Sequence, residues 1–491
     1  MYINATLIQG VFIMKKIFKN LFVVFLATFT LQIFAMASGQ PENIKTAQNF
    51  SNLKPVKYVF LFIGDGMSIP QRMAAEEFSM KNGNGKLFIN SMPHQAVTKT
   101  SSANSFITDS AASGTAIACG EKTYNGAIGI ASDRKRKLES VAEVAHKSGR
   151  KVGIITTVTI NHATPASFYA HNTSRGNYYN IALDLINSNF EYFGGGGVAK
   201  YNDTKNKAYK GNIYELAQKA GYTVAQGKNA IKAIPANAKK VLAAGYAGQM
   251  PYAIDRTEND MALADFVADA IKRLDNEKGF FIMAEGGKID YSGHGNDAGT
   301  NIIETIDFDN AVKIAYEFAK KHPSETLIVV TGDHETGGFT LGFAGTAYSS
   351  YIQNIKYQKC SQDVFYNKIA AFASKEKVAF DDIKSLITEN FGLIFPENKA
   401  DADKHMVLSK NEVDRLKNAF NIQFPNGKYK AGRILTAEVI KIFDNKCSLA
   451  WTTGAHTALP VLTTAWGKNS ETFSGMIDNT DIAKFLKQAV R

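Results

Sequence analysis

The sequence YVFLFIGDG at residues 58–66 decides the fold class. Six apolar residues, Tyr58 to Ile63, are followed at once by the turn-forming Gly-Asp-Gly, a pattern typical of a short buried strand. Three further runs have the same character: Val152 to Thr156, Gly279 to Ala284 and Thr326 to Thr331. We therefore expect these four segments to form buried strands.

The segments between these strands predict helices, because their apolar residues recur at three- and four-residue spacing. Clear examples are Glu139 to Lys147, Asp260 to Leu274 and Ile302 to Lys320. Strands that alternate with helices indicate a mostly parallel sheet covered on both faces. The predicted fold class is therefore α/β, a three-layer sandwich with a mostly parallel central sheet flanked by helices.

The strand pattern fades between residues 343 and 450, where helical patterns take over. Ser409 and Glu412 form a capping box before one helix, and Thr436 precedes another. We interpret 343–450 as a mainly helical insertion that separates two parts of the core, 38–342 and 451–491. Helix content does not define a domain boundary, so an outer layer of the main domain is an equally good interpretation.

The N-terminal 37 residues have the pattern of a secretory signal peptide, with a cationic start, an apolar run from Leu21 to Ala35 and the small-residue site Ala-Met-Ala at 35–37. We expect cleavage before Ser38, which places the mature chain in the periplasm or outside the cell and leaves no membrane span. The apolar run is shorter than the ~20 residues of a spanning helix, although an uncleaved anchor is the alternative.

The composition excludes several classes of protein. The chain has 491 residues, of which 45% are hydrophobic and 21% charged, so it is neither low-complexity nor collagen-like. Three cysteines exclude a disulfide-dense scaffold, and their spacing contains no CxxC metal motif. The formal charge of +11 favours acidic partners or substrates.

Potential oxygen ligands stand at or near the ends of the four predicted strands: Asp65, Thr164, Glu285 and Asp333. In α/β sheets, ligands bind outside the carboxyl ends of the strands, so distant residues can converge there. Taken alone, an Asp between two glycines is more often a turn residue than a ligand. The joint pattern favours a shared site.

Histidines accompany these carboxylates. Asp290 and His294 are four residues apart and share a face if the segment is helical. Asp333 and His334 are adjacent, so they can share a site only if the chain turns there, and His456 lies far downstream. Carboxylates and imidazoles without thiolates suit Zn²⁺ in an open catalytic site. The alternative is that each histidine is an ordinary polar residue.

The sequence TDSAASGT at residues 108–115 has the pattern of a helix start. A serine hydroxyl in the first turn would lie among backbone N–H groups that favour an anion. The alternative is that Ser110 or Ser113 only caps the helix.

Seven motifs together resemble those of the alkaline phosphatase family, in the same order. They are IGDGM, TDSAASGTA, KTYNGAIG, HATPASFYAHNTSR, EGGKIDYSGH, TGDHETGG and TGAHT. The resemblance covers about residues 59–342 and 452–465. It implies the family's α/β fold and metal-dependent hydrolysis of phosphate monoesters to an alcohol and inorganic phosphate.

The resemblance also implies roles for individual residues. Ser110 matches the nucleophile that becomes phosphorylated, and Arg175 matches the guanidinium that holds the phosphate. It implies two Zn²⁺ and one Mg²⁺. The residues that match the ligands of the first zinc are Asp65, Asp333 and His334, and those that match the second are Asp290, His294 and His456. The residues that match the magnesium ligands are Asp65, Thr164 and Glu285.

Two positions vary within the family and adjust the third metal and the phosphate. They are His162 and Tyr291 here, so neither an aspartate nor a lysine is available. Direct ligation by His162 would favour zinc or another transition metal over magnesium. The alternative is that both side chains simply pack at the rim.

Other activities are less consistent with these motifs. A sulfatase needs Pro and Arg shortly after its nucleophile, and the Ser110 motif has neither. A phosphodiesterase of the same superfamily is the main alternative, but it typically lacks the third-metal residues. A noncatalytic phosphate- or metal-binding protein would lack the nucleophile or a metal ligand, and none is missing.

The expected partners are small phosphorylated substrates and a second copy of the chain, with no specific nucleic acid. Because export places the chain in an oxidising compartment, Cys360 and Cys447 are expected to form a disulfide. Cys119 is then expected to be a small buried residue in the helix that follows Ser110.

Overall fold

We describe the structure from a computed structural model, over residues 53–398 and 403–491. The predicted signal peptide at 1–37 lies outside these described residues. Within the described ranges, none of the helices combines the length and apolar character needed to cross a bilayer.

The described ranges contain fourteen strands, which we number in chain order: β1 Tyr58–Gly64, β2 His94–Lys99, β3 Lys151–Thr156, β4 Tyr192–Gly195, β5 Thr223–Gln226, β6 Val241–Ala244, β7 Phe280–Gly286, β8 Thr326–Gly332, β9 Glu335–Thr336, β10 Phe339–Leu341, β11 Leu449–Trp451, β12 His456–Thr457, β13 Val461–Gly467 and β14 Gly475–Asp478. The four predicted strands are confirmed as β1, β3, β7 and β8.

The α-helices of the same ranges are α1 Ile69–Lys81, α2 Phe88–Ser91, α3 Ser110–Cys119, α4 Val141–Lys147, α5 Ala163–Ala166, α6 Tyr178–Ser188, α7 Ile213–Lys219, α8 Lys228–Lys232, α9 Leu263–Leu274, α10 Lys288–His294, α11 Ala298–Ala319, α12 Gln362–Ala370, α13 Phe380–Phe391, α14 Lys410–Gln423, α15 Ile434–Lys446 and α16 Asn479–Ala489. The three helices predicted between strands are confirmed as α4, α9 and α11.

Ten strands form one sheet in the order β14-β2-β13-β8-β1-β7-β3-β4-β6-β5. All neighbouring pairs are parallel except the two that β13 makes, with β2 and with β8. Strand β1 lies between β7 and β8, in a register that places Ile63 opposite Glu285 and Thr331. The predicted mostly parallel sheet is confirmed, and its register brings the ends of three strands to one edge.

Strand β1 is fully buried because helices cover both faces of the sheet. Its alternate residues Tyr58, Phe60 and Phe62 pack in one hydrophobic cluster with residues of α9 and α11. On the other face, α3 packs against α16 and α5, and α5 also contacts β7. The helices therefore form the two outer layers of the sandwich.

Residues 343–450 are mainly helical, with α12, α13, α14 and α15 as their α-helices. Their buried apolar residues belong to the same hydrophobic cluster as the strand β1. The predicted capping box is confirmed, since Ser409 and Glu412 exchange side-chain and backbone hydrogen bonds. Helix α15 begins at Ile434 rather than at Thr436, because buried Leu435 already packs in the core.

The predicted disulfide between Cys360 and Cys447 is wrong, because all three cysteines are free and buried. The thiol of Cys360 instead donates a hydrogen bond to Oδ1 of Asn390 at 3.2 Å. Cys447 is completely buried at the end of α15. The expectation for Cys119 is confirmed, since it is the buried last residue of α3.

Candidate active site

The candidate site lies at the carboxyl ends of β1, β7 and β8. Asp65 directly follows β1, Glu285 is the sixth residue of β7, and Asp333 directly follows β8. All three side chains are completely buried. The predicted convergence of these carboxylates is therefore present, and it follows from the parallel register of the sheet.

Two threonines hold the carboxylates on the β7 side of the site. Thr164 donates to Oδ2 of Asp65 at 3.3 Å, and Thr156, at the end of β3, donates to Oε2 of Glu285. A ring nitrogen of His162 lies within 4.8 Å of ligand atoms of Asp65 and Glu285. These residues could hold one cation.

The turn after β8 places Asp333 and His334 together. Nε2 of His334 lies 3.2 Å from Oδ2 of Asp333 and 3.3 Å from Oδ1 of Asp65. The turn is completed by Gly337 and Gly338, whose φ angles of 95° and 57° suit glycine. The expected turn is therefore present, and a second cation could bind among these three side chains.

A third group is formed by Asp290, His294 and His456. Asp290 and His294 share one face of α10, as expected from their spacing, with Nε2 of His294 3.4 Å from Oδ1 of Asp290. His456 approaches from β12 and places its Nε2 3.1 Å from Nε2 of His294. Two imidazole nitrogens and a carboxylate oxygen thus face a common point.

Ser110 is the first residue of α3 and is 1% exposed. Its Oγ lies 3.2 Å from Nε2 of His334, at the edge of the second group. Asp109 is the N-cap and accepts a hydrogen bond from the N–H of Ala112. Ser113 instead donates to the carbonyl of Asp333. The alternative that Ser110 or Ser113 caps this helix is therefore wrong, and the Ser110 hydroxyl is available for chemistry.

Arg175 forms an ion pair with Asp109, the residue that precedes Ser110. Nη1 of Arg175 forms an ion pair with Oδ2 of Asp109 at 3.0 Å, and Nη2 lies 3.3 Å from Nε2 of His162. Burial lowers the pKa of Arg175, but Asp109 outweighs this effect and raises it. The guanidinium therefore stays charged and can bind an anion with its planar fork.

His162 and Tyr291 do not lie at an open rim. His162 is 6% exposed, and its Nε2 lies 3.5 Å from the hydroxyl of Tyr291. Burial and Arg175 lower the pKa of His162 to about 3, so the ring is neutral. Nε2 lies within hydrogen-bond distance of Arg175 and of the Tyr291 hydroxyl, so Nδ1 is the ring nitrogen without a partner among the described residues.

The buried carboxylates of the site favour the binding of cations. Burial raises the pKa of Glu285 and of Asp333 to about 7, and it raises the pKa of Asp65 well above the ordinary range, with help from Asp333 and Asp290. Burial lowers the pKa of His334 well below its usual value, which leaves a neutral imidazole. Such a cluster of like charges in a dry site is unstable without compensation.

Several buried atoms without hydrogen-bond partners mark positions where cations could neutralise the charge of these carboxylates. Within the described part of the chain, Oδ1 of Asp65, Oε1 of Glu285, Oδ2 of Asp333 and Nδ1 of His162 are buried without a hydrogen-bond partner. Buried polar atoms are normally paired, so these atoms are free to accept ligands of another kind. Their oxygen and imidazole chemistry fits divalent metal ions.

Sequence reasoning named every residue of the three groups but missed several side chains that hold them. Asp109, Thr156 and Thr336 were not predicted to take part. Thr336 donates to Oδ1 of Asp290 at 2.5 Å. The position of Asp109 next to Ser110 was the one available signal, because the residue before a helix is where a cap is expected.

A buried serine at a helix start, a guanidinium and three groups of metal-ligand residues define a metal-dependent hydrolase of phosphate esters. The family model described as alkaline phosphatase matches residues 56–491. The chain therefore belongs to the alkaline phosphatase family, and it is an enzyme that hydrolyses phosphate monoesters in a metal-dependent reaction.

The similarity to known alkaline phosphatases extends over most of the chain. Alkaline phosphatase 3 of Bacillus subtilis is 33% identical over 97% of this chain and 98% of its own. The cold-active alkaline phosphatase of a psychrophilic Shewanella species aligns with a TM-score of 0.74 at 30% identity, over 88% of this chain and 100% of its own. A third relative is a variant of the alkaline phosphatase from the Antarctic bacterium TAB5, in which a histidine is changed to glutamate and Mg is bound in the M3 site. It aligns with a TM-score of 0.63 at 28% identity, over 89% of this chain and 99% of its own.

Proposed function

We propose that Ser110 is the nucleophile of this phosphomonoesterase and that a phosphoserine forms on it during each turnover. The observation that carries the proposal is the position of its Oγ, buried at the start of α3 and 3.2 Å from Nε2 of His334. Metal ions bound here would lower the pKa of the serine hydroxyl and of water and would neutralise charge on the phosphoryl group.

The residues of the chain account for the remaining steps. Ser110 Oγ releases its proton to solvent and forms a bond to phosphorus while the ester bond to the alcohol breaks, and the departing alcohol oxygen takes up a proton from solvent. Arg175 binds two phosphate oxygens and is held in place by Asp109. Water then attacks the phosphoserine, the bond between Oγ and phosphorus breaks, and inorganic phosphate leaves.

We propose two zinc sites and a third site for magnesium. The first zinc site consists of Asp65, Asp333 and His334, and the second of Asp290, His294 and His456. The unpartnered oxygens of Asp65 and Asp333 support the first assignment. The common point faced by the three side chains of the second group supports the other.

The third site is assigned to Asp65, Thr164 and Glu285, with His162 as a further ligand. Unpartnered Nδ1 of His162 and Oε1 of Glu285 support this assignment. An imidazole ligand favours zinc or another transition metal over magnesium, because Mg²⁺ prefers oxygen. Tyr291, beside His162, supplies no positive charge toward the phosphate.

A direct test compares two substrates. Purified enzyme is given p-nitrophenyl phosphate and bis(p-nitrophenyl) phosphate, and nitrophenol release is measured. We expect the monoester to be preferred strongly, because it presents one more unesterified oxygen and more negative charge than the diester to Arg175 and the bound metal ions. A diester preference would support the phosphodiesterase alternative.

We also propose a periplasmic or secreted homodimer with residues 343–450 as an insertion. The signal-like sequence at 1–37 supports export. Exposed Ile69, Met73 and Met80 lie on one face of α1, where a second copy of the chain could cover them. Met73→Glu is expected to give a monomer by light scattering, and an unchanged mass would place the dimer contact elsewhere.

A further inference from the structure

A cavity of about 360 Å³ lies beside the candidate active site. One wall is the segment that begins at His294, and the opposite wall is the face of α15 that carries Ala437, Lys441 and Asp444. Trp451 of β11 completes it. The cavity therefore joins the metal-ligand residues of the core to the helical segment 343–450, whose role the sequence left open.

The cavity adjoins the group of residues to which we assign the departing alcohol of the substrate. Ser110 lies next to His334, and in an in-line displacement the leaving group departs opposite the attacking oxygen. We assign that side to the group formed by Asp290, His294 and His456, which adjoins His334 because the His456 and His334 rings stack with centroids 3.7 Å apart. The His294 side chain is 41% exposed, so the same ring borders both this group and the cavity.

Trp451 is a fixed wall of the cavity. Its ring stacks on Phe339 with centroids 4.2 Å apart and planes 26° apart. Its Nε1 donates to Oδ2 of Asp444 at 2.8 Å. An indole held by a ring contact and a hydrogen bond presents a preformed apolar surface to a ligand.

Lys441 gives the cavity a positive charge. It is exposed, and it has no ion-pair partner within residues 53–398 and 403–491. The nearby acid Asp444 forms no ion pair with Lys441 among the described residues, and burial and Asp297 raise the pKa of Asp444 well above its usual range. Asp444 is 1% exposed, and its Oδ1 has no partner among the described residues. The unpartnered Oδ1 of Asp444 can therefore form a hydrogen bond with a ligand.

We propose that this cavity is a subsite for the alcohol portion of the substrate and that Lys441 selects phosphate monoesters whose alcohol carries a second anionic group, a carboxylate or another phosphate. The inference rests on the proposed function and names its substrate class. Lys441 acts as a specificity residue, since it contacts the substrate away from the reacting atoms.

The test is the ratio of kcat/KM for 4-carboxyphenyl phosphate to kcat/KM for phenyl phosphate. Differences in leaving-group reactivity cancel when this ratio is compared between enzymes. Lys441→Ala is expected to lower the ratio about 3-fold to 5-fold, as for a partly exposed ion pair, and Lys441→Glu is expected to lower it about 10-fold or more. High salt should shrink both effects.

The matched control is Lys417→Glu, an exposed lysine of the neighbouring helix α14 that does not line the cavity. It changes the net charge equally and should leave the ratio unaltered. Ala437→Trp tests the cavity itself, and it should raise KM for naphthyl phosphate more than for methyl phosphate.

An unchanged ratio in both Lys441 variants, in enzyme that still turns over phenyl phosphate, would overturn the inference alone. Equal shifts in the ratio for Lys417→Glu and Lys441→Glu would also overturn it, since the effect would then be one of net charge. A wild-type enzyme that hydrolyses neither ester would instead contradict the proposed function.

Discussion

Buried carboxylates occur in two different settings in this molecule. Asp297, between α10 and α11, accepts hydrogen bonds from backbone and side-chain donors of Thr300, Gln358 and Gln362. Asp65 and Asp333, at the strand ends, each retain a buried oxygen without a partner. The first carboxylate is satisfied by the protein, whereas each of the others keeps an oxygen that a bound cation could complete. Burial therefore does not distinguish Asp297 from Asp65 and Asp333, whereas hydrogen-bond satisfaction does.

The largest effect is expected from removal of the metals. Chelation should lower kcat/KM by about 10⁴-fold or more, because charge neutralisation carries most of phosphoryl transfer. Zinc together with magnesium should restore activity. Hydrolysis of p-nitrophenyl phosphate measures both the loss and the recovery of activity. Full activity after dialysis against a chelator would contradict the claim that the strand-end carboxylates act through bound cations.

The next largest effect is expected from Ser110→Ala. Loss of the covalent route should lower kcat by about 10³-fold or more, while water can still react slowly at the metal site. Metal content should be retained, since the hydroxyl is not assigned as a ligand. Wild-type turnover, with the phosphoryl group found on another residue by mass spectrometry, would refute the assignment.

Asp297→Ala tests the structural side of the comparison. It leaves several buried donors unpaired and should cost about 3 kcal/mol of unfolding free energy. The activity of enzyme that remains folded should change little in comparison. Urea unfolding followed by circular dichroism measures the cost, and an unfolding midpoint equal to that of the parent would show that these hydrogen bonds contribute nothing net.

The metal-free protein should lose stability as pH rises. Glu285 and Asp333 have folded pKa values of about 7, against ordinary values of 4.5 and 3.8. The folded state therefore binds more protons than the unfolded state between about pH 4 and pH 7. Stability is greatest below this range and falls through it, so the Tm of metal-free protein should drop by several degrees from pH 5 to pH 8. Added zinc should flatten this dependence, and a Tm that rises instead would contradict the assignment.

The smallest effect is expected from His162→Asp. An oxygen ligand suits Mg²⁺ better than an imidazole, so magnesium should stimulate the variant a few-fold more than the parent. The activity of enzyme reloaded with zinc and titrated with magnesium checks this. An identical magnesium response in both proteins would show that His162 does not adjust the third metal.

The sequence was sufficient for the parts of the fold that local pattern encodes. Strands β1, β3, β7 and β8 are uninterrupted apolar runs, and each lies where it was predicted. Strands β2, β13 and β14 were not predicted, because their sequences HQAVTK, VLTTAWG and GMID mix polar and apolar residues at one edge of the sheet. Strands of such mixed composition are specified by their partners more than by their own residues.

The same difference applies to the site. Most of its candidate metal-ligand residues could be predicted because they stand at or near the end of a strand or share a helix face, whereas His456 received its role only from the family resemblance. The ion pair of Arg175 with Asp109 and the hydrogen bond of Thr156 to Glu285 could not, because they join residues 66 and 129 positions apart. The cysteine pairing failed for the same reason, since geometry and not spacing decides whether two thiols can join.

The most direct test of the account is the metal content of two matched variants, Asp333→Asn and Asp297→Asn, measured per chain by inductively coupled plasma mass spectrometry. We expect Asp333→Asn to lose at least one zinc ion, because an amide is a poorer ligand than a carboxylate at that position. Asp297→Asn should retain the metal content of the parent and lose only stability. Equal metal content in both variants would contradict the claim that unpartnered carboxylates at the strand ends hold the metals of this enzyme.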